Sequence, residues 1–296
     1  RSDRSFFRLS GYAVTGISFL ICHLIEWLDD CGFEFVIAAP TNKAAKSLIQ
    51  VGTSVGINID VKTVAQLLGQ QPELNEETGE EEFNSSGKAE FDDYDVMIVD
   101  EFSMINRSNF EEIVQAIATT IDTKVIFVGD EAQLPPVKEK QPMVAISDAI
   151  DDTAILDQVV RYEGEIAVVA EQIRSKEKFS RRMYPFETSE DQTIVCQPRQ
   201  KWLETVTEFF QADDCKANPD FARLLVWRNK TAGNANRYVR SRLWGKDAPI
   251  FVPGDRLIAR KPLFRIRPGQ KGKNKWGVLI NNSEECSVID QPTIKQ

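Results

Sequence analysis

Residues 96–104 read VMIVDEFSM, and residues 125–137 read VIFVGDEAQLPPV. Each stretch is a run of β-branched and other apolar residues that ends in carboxylates and small polar groups. This pattern is typical of a buried parallel strand, which is apolar on both faces and delivers its last residues to the carboxyl edge of a sheet. Either stretch alone is also compatible with an ordinary core strand that ends in solvated acids. The two together, with Gln-Leu-Pro-Pro in the second, favour a functional site at that edge.

The acids at the end of the first strand have the chemistry of a magnesium-nucleotide site. Asp100 can hold Mg²⁺ through water, and Glu101 can orient an attacking water. Gln133, at the tip of the second strand, is placed to sense a terminal phosphate. The three side chains therefore suit a magnesium-nucleotide site.

A glycine-containing loop precedes both strands in the chain. Residues 11–18 read GYAVTGIS, between a predicted strand and a predicted helix. The phosphate-loop pattern is G-x-x-x-x-G-K-[ST], whose glycines let backbone N–H groups wrap phosphates at a helix N-terminus. Gly11, Gly16 and Ser18 match this pattern. We interpret the loop as a phosphate loop, either a relic or a variant.

Two positions of this loop depart from the pattern. Ile17 stands where the lysine belongs, and Val14 stands where a third glycine is common. Isoleucine cannot neutralise the β- and γ-phosphates, and a β-branched valine resists the positive φ that glycine permits. These departures predict impaired use of ATP.

The composition bounds the class of protein. At 296 residues, with 42% hydrophobic and 27% charged residues, the chain suffices for one large or two medium domains. No apolar run reaches the length of a membrane span, and the first residues, RSDR, do not resemble a signal peptide. Five cysteines without C-x-x-C spacing and a single histidine argue against a zinc site. We expect reduced cysteines, a cytoplasmic protein and no membrane partner.

The charge is segregated along the chain. The formal net charge of −9 argues against bulk attraction to nucleic acid. However, residues 256–275 carry eight bases and no acid, whereas residues 73–82 carry six acids and no base. A local basic face on an acidic protein can still bind phosphates, with the usual dependence on salt.

Strands and helices alternate through the first 150 residues, which predicts a parallel sheet with helices on both faces. The predicted strands are 6–10, 34–39, 95–99 and 124–128, and the predicted helices are 17–29, 42–50, 63–69 and 107–120. The periodicity fails over residues 70–92, which are interpreted either as a β-hairpin or as a disordered acidic loop.

A second alternating segment follows this first one. Its predicted strands are 155–161 (or a turn), 193–196 and 223–227, and its predicted helices are a segment that ends at Arg174, then 201–211 and 232–243. From residue 251 the composition becomes β-type, which is typical of the start of a small barrel-like module.

With these residues in hand, the chain resembles superfamily 1 DNA helicases of the RecD/Dda type, and the resemblance covers essentially its whole length. Two matching motifs concern the nucleotide: residues 11–18 stand at the place of the Walker A motif, and residues 100–103 (DEFS) match the Walker B motif. Two others concern DNA: residues 38–46 (AAPTNKAAK) resemble the motif that contacts the single strand, and residues 129–136 (GDEAQLPP) match the motif that couples nucleotide to DNA. The motif at 38–46 alone is also compatible with a plain junction from strand to helix, capped by Thr41.

The resemblance implies an α/β fold of the P-loop NTPase (RecA-like) type. It implies a nucleotide-binding lobe at 1–150 with a hairpin insertion at 70–92, a partial second RecA-like lobe at 151–250, and the start of an accessory SH3-like β module, a small β-barrel insertion, at 251–296. It also implies ATP hydrolysis coupled to movement on single-stranded or forked DNA.

The same resemblance assigns roles to individual residues. It implies nucleotide binding by Gly11, Thr15, Gly16, Ile17 and Ser18, catalysis by Asp100, Glu101, Gln133 and Arg161, Mg²⁺ contacts by Ser18 and Asp100, and nucleic-acid contacts by Thr41, Asn42, Lys43, Thr63, Asn229 and Arg240. Arg161 would reach the γ-phosphate from the second lobe.

The chain also departs from the family pattern. Besides Ile17, it lacks the late motifs of the types Thr-x-His-x-x-Gln-Gly and Val-x-x-Ser-Arg, and the adenine-contacting Gln segment ahead of the first strand. We therefore expect a helicase piece, shortened at both ends and impaired in hydrolysis. The alternative is a non-catalytic pseudo-helicase that binds nucleic acid or nucleotide, although intact Asp100, Glu101 and Gln133 argue against it. A P-loop kinase lacks support from the other motifs.

Overall fold

The computed structural model describes residues 5–12, 15–54, 56–74, 81–85, 91–120, 122–157, 165–174, 198–218, 221–266, 276–280 and 284–290. Contacts divide the chain into two compact units. The first comprises Arg1–Tyr162 and Ile258–Glu284, and the second comprises Glu163–Leu257 and Glu285–Gln296.

Strands and helices alternate in the first part of the chain, and helices dominate the next. The elements up to residue 156 are β1 (Phe6–Gly11), α1 (Ile17–Asp30), β2 (Phe35–Ala39), α2 (Asn42–Ser54), β3 (Val61–Thr63), α3 (Val64–Leu67), β4 (Gln70–Leu74), β5 (Glu81–Ser85), β6 (Val96–Val99), α4 (Arg107–Ile117), β7 (Lys124–Gly129), α5 (Met143–Ile146) and β8 (Asp152–Leu156). They are followed by α6 (Glu165–Arg174), α7 (Arg199–Gln211), α8 (Asp213–Ala217), α9 (Asn229–Trp244), β9 (Arg256–Ile258), β10 (Leu263–Ile266), β11 (Trp276–Ile280) and β12 (Glu285–Ser287).

Six strands of the first unit form one parallel sheet in the order β3-β2-β6-β7-β1-β8. Strand β1 lies between β7 and β8, with Ser10 opposite both Gly129 and Ile155. Because all six strands run in the same direction, the loops that follow them meet at one carboxyl edge. The predicted α/β fold with a parallel sheet is confirmed.

Helices cover both faces of this sheet, as the sequence predicts. Successive residues of β6 point to opposite faces, so Met97 and Val99 pack in one apolar cluster and Val96 and Ile98 pack in the other. The first cluster includes Phe110, Ile113 and Ile117 of α4, and the second includes Ile21, Ile25 and Leu28 of α1. Burial on both faces explains why the strand is uniformly apolar.

Helix α1 starts at the glycine-containing loop, and its ends follow from local chemistry. It begins after Gly16, whose φ of 86° is left-handed. It ends in a Schellman motif, in which the N–H of Phe33 donates to the carbonyl of Leu28 at 3.0 Å and Gly32 has a φ of 72°. Its four buried residues recur at helical spacing, so the helix is anchored on the sheet with its N-terminus at the loop.

Within the segment 70–92, where the sequence predicts a hairpin or a disordered loop, two described stretches form paired arms. Strands β4 and β5 pair antiparallel, with Gln70 opposite Ser85, while the expected turn at residues 75–80 lies outside the described residues. The side-chain amide of Gln70 donates to the carboxylate of Glu112 at 2.8 Å, which ties the base of the hairpin to α4.

Two strands of the sheet differ from the prediction. Residues 61–63 form β3, although the sequence predicts a helix from residue 63, because three residues are too few to establish a period. Strand β8 covers 152–156 rather than 155–161, and it pairs with β1 in the sheet of the first unit. The predicted lobe boundary at residue 150 therefore falls before the last strand of that sheet.

The second unit contains the helices α6 to α9. The predicted strand at 223–227 is wrong, since those residues are irregular and both Leu225 and Trp227 are strongly exposed. The strand predicted at 193–196 lies outside the described residues.

The chain after residue 251 is β-type, as its composition indicates. Strands β10 and β11 pair antiparallel in the first unit, and β9 pairs with β12. Closure of these strands into a barrel stays a prediction. Among the described residues, no helix combines the length and the apolar character that crossing a bilayer requires.

Candidate functional site

The candidate site is a cavity of about 260 Å³ at the carboxyl edge of the sheet, where β1, β6 and β7 end. The residues that line it are Gly11, Tyr12, Gly16, Ile17, Ser18, Phe19, Asp100, Glu101, Gly129, Asp130 and Gln133. The structure thus brings together the glycine-containing loop, both acids that end β6, and Gln133 from the segment after β7. Asp130, Gly129, Tyr12 and Phe19 join them although they were not among the predicted site residues.

The loop presents the N-terminus of α1 to this cavity. Thr15 closes the turn, because its N–H and its hydroxyl both donate to the carbonyl of Tyr12, at 3.0 and 2.9 Å. Gly16 then takes the left-handed conformation that lets the helix begin. Unpaired N–H groups of a first helical turn bind anions well. Residues 13 and 14 lie outside the described residues, so Val14 stays untested.

Ile17 lines the cavity with an apolar side chain where a lysine would place a charge. A Cβ built on Gly11 would lie 2.7 Å from Ile17 Cγ1 and 2.8 Å from Thr15 Oγ1, so the isoleucine side chain lies against the Gly11 backbone. Ile17 also packs against the apolar cluster that contains Leu9 and Ile21. The Gly11 backbone thus lies against an apolar side chain, which would have to move to make room for a Cβ at position 11.

Asp100 and Glu101 follow β6 and are partly buried. The N–H of Asp100 donates to the carbonyl of Ala38 at 2.8 Å, which fixes the acid beside β2. Burial, and next the charge of Glu101, raise the pKa of Asp100 to about 7. Glu101 has a left-handed backbone (φ 55°), and burial together with the charge of Asp130 raises its pKa. Strain of this kind at a non-glycine residue is frequent at functional sites.

Asp130 adds a third carboxylate that the predicted set of residues lacked. It is 5% exposed, and its side chain accepts the N–H of Ala132 at 2.9 Å. The N–H of Gln133 donates to the carbonyl of Asp130 at 3.1 Å, so this residue shapes the turn that carries Gln133 to the cavity. Its position directly after an apolar strand, within GDEAQ, is the sequence signal that could have identified it.

Gly129, at the end of β7, allows this strand to approach the backbone of Phe102 closely. A Cβ at this position would lie 2.9 Å from the backbone nitrogen of Phe102, and φ is 155°. Strand β7 therefore lies directly against the turn that follows the acids of β6.

The cavity is electrostatically one-sided. Three of its lining residues are carboxylic acids, and none of the lining residues is Lys or Arg. Within the described part of the chain, no group of three or more His, Cys, Asp or Glu side chains is arranged to hold a metal ion by itself. The hydroxyl of Ser18 and the carboxylate of Asp100 are nevertheless oxygen donors of the kind that Mg²⁺ prefers, with phosphate and water oxygens as further ligands.

The predicted nucleic-acid residues of the first unit lie at the carboxyl ends of β2 and β3. Thr41 caps α2 by accepting the N–H of Ala44 at 3.1 Å, and Thr63 caps α3 in a capping box with Gln66. Thr63 also pairs with Ala39, so the two threonines share one corner of the sheet edge. The structure gives both threonines capping functions, which leaves their predicted contacts with DNA untested.

Asn42 and Lys43 open the first turn of α2, and the Lys43 side chain is exposed. In the second unit, Asn229 is the exposed first residue of α9. Arg240 forms a bidentate ion pair with Asp255, at 2.8 Å from Nη2 and 3.3 Å from Nε, which is a structural contact. Arg161 lies outside the described residues.

Together, a parallel α/β sheet, a glycine loop at its first helix and acids on adjacent strands define a P-loop nucleotide-binding fold. The chain belongs to the AAA-domain family AAA_30, whose model matches residues 1–185.

The chain is similar to two curated relatives. It is 30% identical over 161 residues to the ATP-dependent RecD2 DNA helicase of Deinococcus radiodurans, a match that covers 54% of this chain and 20% of that protein. It is 23% identical over 271 residues to an uncharacterized protein of Acanthamoeba polyphaga mimivirus, with 81% of this chain and 52% of that protein covered. The chain thus spans about half the length of the viral relative and a fifth of the bacterial one. The predicted resemblance to RecD-type helicases is confirmed.

Among solved structures, the Pif1 helicase of Candida albicans is similar, with a TM-score of 0.48 and 17% identity. That match covers 97% of this chain and 65% of that one.

Proposed function

We propose that this chain forms the ATP-hydrolysing core of a DNA helicase or translocase. The observation that carries this proposal is the meeting of the phosphate loop, Asp100, Glu101 and Gln133 in one cavity at the edge of a parallel sheet. The similarity to the RecD2 DNA helicase supports DNA as the polymer on which it acts.

In this proposal the loop of residues 11–18 takes the phosphates of ATP. Backbone N–H groups at the start of α1 bind the phosphate oxygens, with Gly11, Thr15, Gly16 and Ser18 shaping the contact. Glu101 accepts a proton from the water whose oxygen attacks the γ-phosphorus, and ADP is the leaving group. The raised pKa of Glu101 brings this base closer to neutral pH, where general bases act best. Gln133 contacts the γ-phosphate, and Arg161 has the role that the family resemblance implies.

Ser18 and Asp100 are the residues that would hold Mg²⁺. Such an ion, when bound, supplies charge neutralisation for the phosphates. The need for it is unusually strong here, since three carboxylates and no basic side chain line the cavity. In this proposal Ser18 and Asp100 also orient the nucleotide, so that the attacking water lies beside Glu101.

Single-stranded DNA, or the single-stranded arm of a fork, lies in this proposal across the ends of β2 and β3. Thr41, Asn42, Lys43 and Thr63 would contact it there. The hydrogen bond that the N–H of Asp100 donates to the carbonyl of Ala38 joins this corner to the nucleotide cavity. Asn229 and Arg240 would contribute from a second RecA-like lobe that begins after β8 rather than at residue 151. The β4–β5 hairpin would separate strands, and residues 251–296 would form an SH3-like β module. The cytoplasmic location stays a prediction.

A second candidate is a pseudo-helicase that binds nucleotide or nucleic acid without turnover. It is favoured by the packing of Ile17 on Gly11, which fills the lysine position with a side chain that carries no charge. The intact pair of Asp100 and Glu101 favours the enzyme instead.

The test is phosphate release from MgATP with and without a single-stranded oligonucleotide. The enzyme predicts release that DNA stimulates and that Glu101→Gln abolishes while ATP binding persists, because the amide keeps the shape but not the basicity. If the chain is a pseudo-helicase, it should bind ATP or DNA, and the wild-type chain and Glu101→Gln should both release phosphate only at the background rate. If neither ligand binds, both candidates are wrong.

A further inference from the structure

One aromatic side chain of the cavity is not explained by packing or by phosphate binding. Phe19 lines the cavity beside Ile17 and Ser18, and 58% of its surface is exposed. The core-facing residues of α1 are Ile21, Cys22, Ile25 and Leu28, so Phe19 lies outside the buried stripe of its helix.

The Phe19 ring is held in place from one side. His23, one turn further along α1, meets it edge-on with ring centroids 4.3 Å apart and an interplanar angle of 85°. His23 Nδ1 lies 2.9 Å from a carboxylate oxygen of Glu26, which orients the imidazole in turn. The contact with His23 positions Phe19 at little entropic cost and leaves much of the phenyl ring open to solvent.

Most other lining groups suit a phosphate chain: the loop backbone, Ser18 and the acids are polar. Two aromatic residues, Tyr12 and Phe19, line the cavity, and Phe19 is the more exposed of the two. The cavity also lacks a lysine or arginine among its lining residues, so the phosphates alone bind more weakly and a contact with the base counts for more.

We propose that Phe19, positioned by His23, is the stacking platform for the base of the bound nucleotide. Aromatic stacking accepts any base, because every base has a π-face. The platform therefore provides affinity for purine nucleoside triphosphates in general, with little discrimination between adenine and guanine. This inference rests on the proposed nucleotide site.

The experiment compares a ligand that has a base with one that lacks it. ATP, GTP and inorganic tripolyphosphate, each with Mg²⁺, are titrated calorimetrically into the wild-type chain and into Phe19→Ala, Phe19→Tyr and Trp27→Ala. Trp27 is a matched control, since it is an equally exposed aromatic residue (56%) of the same helix that does not line the cavity.

We expect Phe19→Ala to weaken the binding of ATP and GTP about tenfold and to leave the binding of tripolyphosphate unchanged, since only ATP and GTP carry a base. Phe19→Tyr should retain the wild-type affinities, and Trp27→Ala should change none of them. Equal losses for ATP and tripolyphosphate, or no loss for ATP, overturn the stacking platform while the phosphate site stands. Failure of the wild-type chain to bind any of the three ligands overturns the proposed function, and the platform with it.

Discussion

The side chain of Ile17, at the lysine position of the phosphate loop, packs on Gly11, the first glycine of that loop. A Cβ added to Gly11 would lie only 2.7 Å from Cγ1 of Ile17. The same side chain extends the apolar cluster between α1 and the sheet. An apolar side chain thus occupies the position from which a lysine would pair with phosphate. The start of α1 at Gly16 is retained, whereas the positive charge of the loop is lost.

Restoring the charge should restore turnover. We expect Ile17→Lys to raise DNA-stimulated ATP hydrolysis at least about tenfold, because a hydrogen bond to a charged group contributes roughly 1.5–3 kcal/mol and the γ-phosphate gains charge in the transition state. The methylene stem of lysine can follow the path of isoleucine over Gly11. Ile17→Met, which changes shape without adding charge, is the control and should give no gain. Vigorous hydrolysis by the unmodified chain would contradict this prediction.

The buried acids should make stability depend on pH. The pKa of Asp100 rises from an ordinary value of 3.8 to about 7, so the folded state binds this proton more tightly than the unfolded state does. The contribution of Asp100 to the free energy of unfolding is thus fully present below pH 4, and it is lost as the pH rises through 7.

We therefore expect Asp100→Asn to raise the free energy of unfolding at pH 8, in EDTA, by about 1–3 kcal/mol, with the gain vanishing near pH 4. Urea denaturation at both pH values measures this. Asp213→Asn, at an exposed carboxyl group paired with Lys216, is the control and should change stability little. A gain that is equal at the two pH values would point to packing rather than charge.

The close approach of β7 to the turn after β6 should not tolerate a side chain. Gly129→Ala is expected to destabilise the first unit by about 1–3 kcal/mol, since the new methyl group meets the backbone nitrogen of Phe102 and the φ is unfavourable. Gly233→Ala in α9 is the control, and it is expected to stabilise rather than destabilise. An added Cβ there has no atom within 4 Å, and alanine favours the helix by about 0.5–1 kcal/mol. Denaturation followed by circular dichroism should give opposite signs for the two variants.

Single-stranded DNA binding should depend on Lys43 and on salt. Lys43→Ala is expected to weaken binding severalfold and to reduce the slope of log K against log salt by about 0.7, the contribution of one phosphate contact on a single strand. Lys216→Ala, which also removes one charge from an exposed helix position, should leave both quantities unchanged. Titration of a labelled oligonucleotide at several salt concentrations measures both. Affinity that ignores salt would remove Lys43 and its corner of the sheet from the DNA path.

Much of the first unit was predictable from sequence because its main signals are local. A parallel strand covered on both faces must be apolar throughout, which identifies β6 and β7 directly. Two glycines before an apolar helical period identify the loop and α1. The acids directly after β6 fall at the carboxyl edge whatever the order of the strands, so Asp100 and Glu101 could be placed without the structure.

The strand order, and with it the full composition of the cavity, depends on contacts distant in sequence. Strand β3 is three residues long and β8 joins β1 from more than a hundred positions away, so neither has a period that could reveal its pairing. The sequence determined which side chains carry charge and that the lysine is replaced. Only the three-dimensional structure decided that Ile17 lies on Gly11, which depends on the path of the loop. Only the pairing of β1, β6 and β7 brought Asp130 to the acid pair and made Phe19 line the same cavity, because it places the ends of distant segments at one edge.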